Sequence, residues 1–173
     1  MAGRAGAEIV VIVDREDNVV GSAPRSEMRA RRLPHRATYI LVLPSEGRLL
    51  VQKRTATKDV YPGLFDPVAG GVVLAGETYE EGAARELEEE MGISGVPLRR
   101  EFKFWFEDAA IRVWGCVFSC HWSGPVTLQG EEVEYAVAMT FDEIEARPEQ
   151  FTPDGLFVVR RYREEAGKRQ CQI

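Results

Sequence analysis

Residues 71 to 93 read GVVLAGETYEEGAARELEEEMGI, and this stretch limits what the chain can become more than any other. Thr78 followed three residues later by Glu81 is a capping-box pattern, which predicts a helix starting near Tyr79. Gly92 supplies a left-handed stop, leaving a helix of about three and a half turns. Within that helix Glu86, Glu89 and Glu90 stand at i, i+3 and i+4, so their carboxylates share one face. Carboxylates crowded in this way raise one another's pKa unless a cation lies among them. Hard oxygen donors suit Mg2+ or Mn2+, which bind through carboxylates, waters and substrate phosphates. Ala83, Ala84 and Leu87 offer an apolar counter-face for packing on a sheet. A glutamate run alone reads as a solvated helix surface. The fixed spacing of Gly71, Glu77, Arg85 and Gly92 around it favours a site.

The chain has 173 residues, a size that predicts one domain over residues 1–173 with a core that needs no disulfide or structural metal. Residues 1–7 are expected to be flexible, and residues 8–34 to form an N-terminal hairpin and short helix packed on that core. A net charge of −6 argues against general nucleic-acid binding, which needs a basic surface, but is compatible with a phosphorylated small molecule in a local basic pocket. Cys116, Cys120 and Cys171 are too few and too irregular for a disulfide framework. Cys116-x3-Cys120-His121 lacks a fourth zinc ligand and lies in the strand-like run GCVFSCHW, so buried free thiols in a reducing cytoplasm are expected. No apolar run reaches transmembrane length, and the MAGRAGA start has no apolar signal segment.

Glu8–Val13 and Val19–Ala23 flank a polar turn and predict a β-hairpin. Ser26 is the expected cap of a short basic helix running through Arg32. Thr38–Leu43 and Leu49–Lys53 flank Pro44-Ser45-Glu46-Gly47 and predict a second hairpin. Leu98–Phe106 and Ile111–Trp122 read as long antiparallel strands, with a weaker strand at Glu134–Met139. Asp142–Ala146 reads as a short helix, and Thr152-Pro153-Asp154 as the start of a C-terminal helix through about Glu165.

The skeleton Gly71, Glu77, Arg85-Glu86-Leu87, Glu89-Glu90, Gly92-Ile93 resembles the Nudix hydrolase signature G-x5-E-x7-R-E-U-x-E-E-x-G-U, U being aliphatic, with every position filled. The resemblance implies an α/β fold, the Nudix α/β/α sandwich with a mixed sheet. It also implies Mg2+ or Mn2+ on Glu86, Glu89 and Glu90, with the carbonyl of Gly71 or Gly70 completing the metal shell, and Arg85 paired with Glu77. Over residues 9 to 93 the chain is further similar to the branch related to isopentenyl-diphosphate isomerase. That similarity is carried by Asp14-x2-Asp17-x3-Gly21-x3-Arg25, His35-Arg36-Ala37 and Gln52-Lys53-Arg54-x3-Lys58-x3-Pro62-Gly63. In that branch the residues matching Arg54 and Lys58 hold the diphosphate, and the one matching His35 binds metal. From the residues alone, Arg54 and Lys58 read equally as solvated loop cations, and His35 as a packed or capping histidine.

The departures point away from isomerisation. Gly70 and Val72 stand where isomerases keep a reactive Cys and a metal-binding His, and Ile111 and Val113 stand in place of later glutamates. Allylic isomerisation needs an acid and a base across a carbon skeleton. The expected activity is therefore metal-dependent hydrolysis of a phosphoanhydride in a nucleoside or other organic diphosphate. Isoprenoid-diphosphate isomerisation and a non-catalytic Nudix-fold binding module are the alternatives. The catalytic set is Glu77, Arg85, Glu86 and Glu89. Glu89 is one candidate general base; Glu131, Glu132 and Glu134 are others. Phe104, Trp105, Phe106 and Trp114 read as core or as a stacking surface for a ligand. A homodimer is compatible with the sequence; membrane partners are not expected.

Overall fold

A computed structural model describes residues 4–172. Of the residues expected to be flexible, 1–3 lie outside the described residues, and Arg4–Ala7 form one helical turn, α1. β1 (Ile9–Val13) and β2 (Val19–Pro24) form the predicted hairpin, Ile9 facing Pro24. Its tip is closed by Asp14, whose carboxylate accepts the amides of Glu16 and Asn18. Asp17, at φ 65°, turns its carboxylate inward. There it takes Arg36 Nε at 2.8 Å, the Tyr79 hydroxyl at 3.1 Å and the Lys103 ammonium.

α2 (Arg25–Arg31) follows, but Ser26 does not cap it. Pro24 occupies the N-cap position, where its fixed φ suits a helix entry, and Ser26 lies inside the first turn. β3 (His35–Leu43) is buried along nearly its whole length. β4 (Arg48–Arg54) follows after a short turn, yet the two strands are not a hairpin. β3 pairs in parallel with β7, whereas β4 crosses to a second sheet. Both strands carry apolar runs flanking a turn, and such runs specify burial without naming the strand that supplies the hydrogen bonds.

β5 (Phe65–Asp66), α3 (Tyr79–Met91), β6 (Arg99–Glu107), β7 (Arg112–His121), β8 (Val133–Thr140), α4 (Phe141–Glu145) and α5 (Pro153–Gln170) complete the chain. α5 runs five residues beyond its expected end. One sheet has the order β2-β1-β3-β7-β6, mixed through the parallel β3–β7 pair; the other has the order β5-β4-β8. The result is the expected α/β sandwich.

The alternation of β3 divides the core. Tyr39, Leu41 and Leu43 face the small sheet and α5, meeting Leu49, Val51, Leu156 and Val159. Ile40 and Val42 face α3, meeting Ala83, Leu87 and Met91. Leu87 is 1% exposed, and burying such a side chain stabilises by about 2 kcal/mol. Ala84, expected on this face, is exposed; Gly82 and Met91 complete the apolar stripe instead.

Candidate active site

The site is built where residues 69–75 thread between β1 and β3. Ile40 and Ala69 exchange both backbone bonds, Thr38 donates to the Gly71 carbonyl at 2.9 Å, and Val11 donates to Val73 at 3.2 Å. Gly70 interrupts this ladder at φ 136°; a Cβ there would lie 2.0 Å from the Thr38 carbonyl oxygen. Only glycine fits that turn of the backbone. At Gly71 a Cβ would lie 2.6 Å from the carboxyl carbon of Glu86, so the missing side chain leaves room for the glutamate head.

α3 brings the acids to this backbone. Its start is fixed by the predicted capping box, Thr78 Oγ1 accepting the Glu81 amide while Glu81 accepts the Thr78 amide, and Gly92 ends it at φ 66°. Glu86 and Glu90 are 9% and 5% exposed. Glu90 accepts the Gly70 amide at 3.1 Å and the Gln52 side-chain amide at 3.2 Å. Burial pushes Glu86 up to about 7, with the charges of Glu89 and Glu132 adding to it and Arg85 opposing. Burial and then the Glu86 charge push Glu90 up to about 8, against the Lys58 charge and the Gly70 amide.

Glu89 differs from its neighbours: its side chain is 52% exposed and reaches Arg85 at 3.3 Å. Arg85 is the hub. It donates to both oxygens of Glu77 at 2.6 and 3.0 Å, to Glu86 at 2.7 Å and to the Val72 carbonyl at 3.1 Å. These bonds raise its pKa further. Glu77 would be raised by burial, but Arg85 and the Leu74 amide outweigh that and hold it below its ordinary value.

The donor set fits a divalent cation that keeps part of its water. Among the described residues no three acidic, His or Cys side chains close into a cage. Mg2+ needs none, because waters and substrate oxygens fill most of its octahedron. Two carboxylates pushed up chiefly by burial, with neighbouring negative charge adding to it, are the groups that such an ion would relieve. The Gly71 carbonyl already accepts the Thr38 amide, and the Thr38 hydroxyl at 3.4 Å. The Gly70 carbonyl has no hydrogen bond among the described residues.

An open cleft lies beside Gly70 and Gly71. Arg25, Arg29, Arg54 and Lys58 line it, with His35, Tyr39, Tyr61, Asp66 and Asp154. Lys58 is held by Glu132 at 2.7 Å. Arg54 serves the loop itself: it donates to the carbonyls of Val60 at 2.7 Å and Tyr61 at 3.2 Å, and to Asp66 at 3.1 Å. His35 is buried, with Nδ1 2.9 Å from the Leu33 carbonyl and Nε2 3.5 Å from Arg29. Burial and the Arg29 charge push it down to about 3, so the ring is neutral. Glu131 and Glu134 are exposed beside Glu132.

The strand aromatics lie elsewhere. Phe104 is 2% exposed in the core, and Trp105 packs against Trp114 with ring centroids 6.0 Å apart. Cys116 and Cys120 are buried free thiols on β7, each pushed up by burial to about 11. Sequence reasoning missed Gln52, Tyr39, Asp66 and Asp154, which come to the site from distant segments. Gln52 stands in the run shared with the isomerase-related branch and Asp154 at the expected start of α5, but neither position announces its partners.

Residues 33–162 match the family model of the NUDIX domain. The chain belongs to the Nudix hydrolase family. It is 52% identical over 149 residues to an uncharacterized Nudix hydrolase of Yersinia pestis, covering 86% of this chain and 82% of that one. It is 45% identical over 166 residues to the uncharacterized Nudix hydrolase PA4841 of Pseudomonas aeruginosa, covering 94% and 98%. Among solved structures it is similar to DR0079 from Deinococcus radiodurans, with a TM-score of 0.80 and 26% identity over 89% of this chain and 98% of that one. As a Nudix hydrolase it is an enzyme. Among its described residues no helix is long and apolar enough to cross a membrane.

Proposed function

We propose that this Nudix hydrolase is a pyrophosphohydrolase that uses Mg2+ or Mn2+ to cleave a phosphoanhydride in a nucleoside or other organic diphosphate. The observation that carries the reading is the burial of Glu86 and Glu90 against the glycine backbone at the edge of a basic cleft. Glu86, Glu89, Glu90 and a main-chain carbonyl would hold the cation. Gly70 supplies that carbonyl in preference to Gly71, whose oxygen is already engaged by Thr38. When bound, the cation supplies positive charge against the phosphates and acidifies water.

The remaining work falls to the side chains. Arg85, anchored on Glu77, fixes the rotamer of Glu86 and steers Glu89. Glu89 takes the proton of the attacking water, because it is the exposed acid of the three. Glu132 is engaged by the Lys58 ammonium at 2.7 Å. Lys58 turns to the substrate phosphates, while Arg54 holds the cleft wall rigid. The buried free thiols fit a reducing compartment, and we place the enzyme in the cytoplasm. The whole chain acts as a single unit on a small molecule.

A hydrolysis screen tests this reading. Nucleoside triphosphates, dinucleoside polyphosphates, nucleotide sugars, coenzymes and isoprenyl diphosphates are each incubated with Mg2+ and Mn2+. Metal-dependent release of a phosphate-bearing product from any of them supports it; no turnover with either metal overturns it.

A further inference from the structure

The cleft beside the glutamates has two chemically different ends. Towards α2 it is lined by Arg25, Arg29 and Lys58, with Asp59 paired to the two arginines at 3.4 and 3.0 Å. At its floor, β3 and the first turn of α5 bring Tyr39 and Asp154 together. The Tyr39 hydroxyl donates to Asp154 Oδ2 at 2.9 Å, and the Gly155 amide donates to Oδ1 at 2.9 Å. Tyr39 is 5% exposed, whereas Asp154 keeps part of its surface open to the cleft. Asp66 stands beside it, bonded to Arg54 at 3.1 Å, to the Val68 amide at 3.2 Å and to the Thr152 hydroxyl at 3.3 Å.

We propose that Asp154, oriented by Tyr39, reads a hydrogen-bond donor on the non-phosphate part of the substrate, so that the cleft selects diphosphates of polar, hydroxyl- or amine-bearing groups over those of plain hydrocarbon chains. This rests on the pyrophosphohydrolase reading and narrows its substrate class.

The reason is a mismatch that capping does not explain. An acid in the first turn of α5 has a helix role available, and the Gly155 bond meets it. That role is served as well by a side chain turned to solvent. Here the carboxylate is turned into the cleft, where burial and the Asp66 charge push it up to about 6. A carboxylate has room for about four acceptor interactions, and among the described residues Tyr39 and Gly155 take two of them. A substrate hydroxyl or N–H at this point satisfies an acceptor that a hydrocarbon would bury unpaired. A site built around a buried polar group rejects the analogue that lacks its partner far more strongly than an apolar wall rejects an extra polar group. Val60, Val68 and Ile111 on the cleft walls supply the apolar contact for the body of such a ligand.

The test measures equilibrium binding and, separately, turnover, with a panel of nucleoside diphosphate sugars and with isopentenyl diphosphate. It uses wild-type protein, Asp154→Asn, Asp154→Leu and Tyr39→Phe, each checked for an unchanged melting profile. Wild type is expected to bind at least one polar diphosphate 100-fold or more above isopentenyl diphosphate. Asp154→Leu should cut that preference at least 30-fold, Asp154→Asn and Tyr39→Phe by smaller factors, mainly in KM. Asp154→Asn keeps an oxygen for the Gly155 amide, so it reports even if Asp154→Leu fails to fold. A wild type without that preference, or a preference unmoved in the folded variants, overturns the inference while leaving hydrolysis standing. An Asp154-dependent preference in a protein that hydrolyses nothing sinks the enzymatic reading alone.

Discussion

Arg85 donates to both carboxylate oxygens of Glu77, at 2.6 and 3.0 Å, a two-pronged contact that a lysine cannot reproduce. The same guanidinium reaches Glu86, so the loop, the helix and the acid share one brace. Arg85→Lys should lower unfolding free energy by about 1–3 kcal/mol, the range for charged hydrogen bonds. Glu77→Gln should cost less, and the double variant should cost less than the sum, because both changes break one contact. Urea denaturation of the four proteins checks this; additive losses would dissolve the brace.

The buried acids make stability depend on pH in an unusual direction. Glu86 and Glu90 have folded pKa values of about 7 and about 8, above their ordinary range. Raised values mean that the folded state holds these protons more tightly, so their contribution is full below about pH 4.5 and is lost as pH rises through about 8. In chelator, melting temperature should fall from pH 5 to pH 8. Saturating Mg2+ should raise it most at pH 8, because the cation binds the ionised form. Glu90→Gln should flatten both trends. A chelated wild type that melts at the same temperature across that range contradicts the assignment.

Glu89 and Glu132 can be separated by kinetics. Glu89→Gln should lower kcat by about 100-fold or more, since it removes both metal charge and the proton acceptor. Glu132→Gln should act mainly on KM by releasing Lys58. A reversed pattern would move the general base to the loop before β8.

Gly71→Ala places a methyl 2.6 Å from the Glu86 carboxyl carbon. Overpacking of this kind costs about 1–3 kcal/mol. The larger expected effect is on catalysis, because Glu86 must swing away from Gly70. Circular dichroism should stay close to wild type while Mg2+-dependent turnover drops at least tenfold.

Thiol chemistry should be irrelevant to turnover. Cys116 and Cys120 are buried and pushed up to about 11, so little thiolate exists at neutral pH. Mild alkylation should spare activity, and a chelator should abolish it until Mg2+ or Mn2+ is restored. Loss of turnover on alkylation, cured by Cys→Ser substitution, would reopen an isomerase-like mechanism.

The parts of this molecule legible in its sequence are those fixed by near neighbours. Thr78, Glu81 and Gly92 define α3 within fifteen residues, and the capping box forms as expected. What failed was partnership at a distance. The stretch from Thr38 to Lys53 carries the two apolar runs and polar turn of a hairpin, but β3 finds its ladder in β7, more than seventy residues away. The expected cap Ser26 lost to Pro24, two residues earlier. The floor of the cleft was invisible for the same reason. Tyr39 and Asp154 are separated by 115 positions, and nothing local to either residue announces the bond.

The family model begins at residue 33, while the carboxylate that receives Arg36, Tyr79 and Lys103 belongs to Asp17. Tyr79 opens the helix that carries the acids, so the tip of the hairpin works as a clasp on that helix. Trimming the chain to its matched length would strip a counter-ion from two cations and loosen the entrance to α3. For anyone shortening this enzyme for expression or grafting it into a larger protein, the safe cut therefore lies before the hairpin rather than after it.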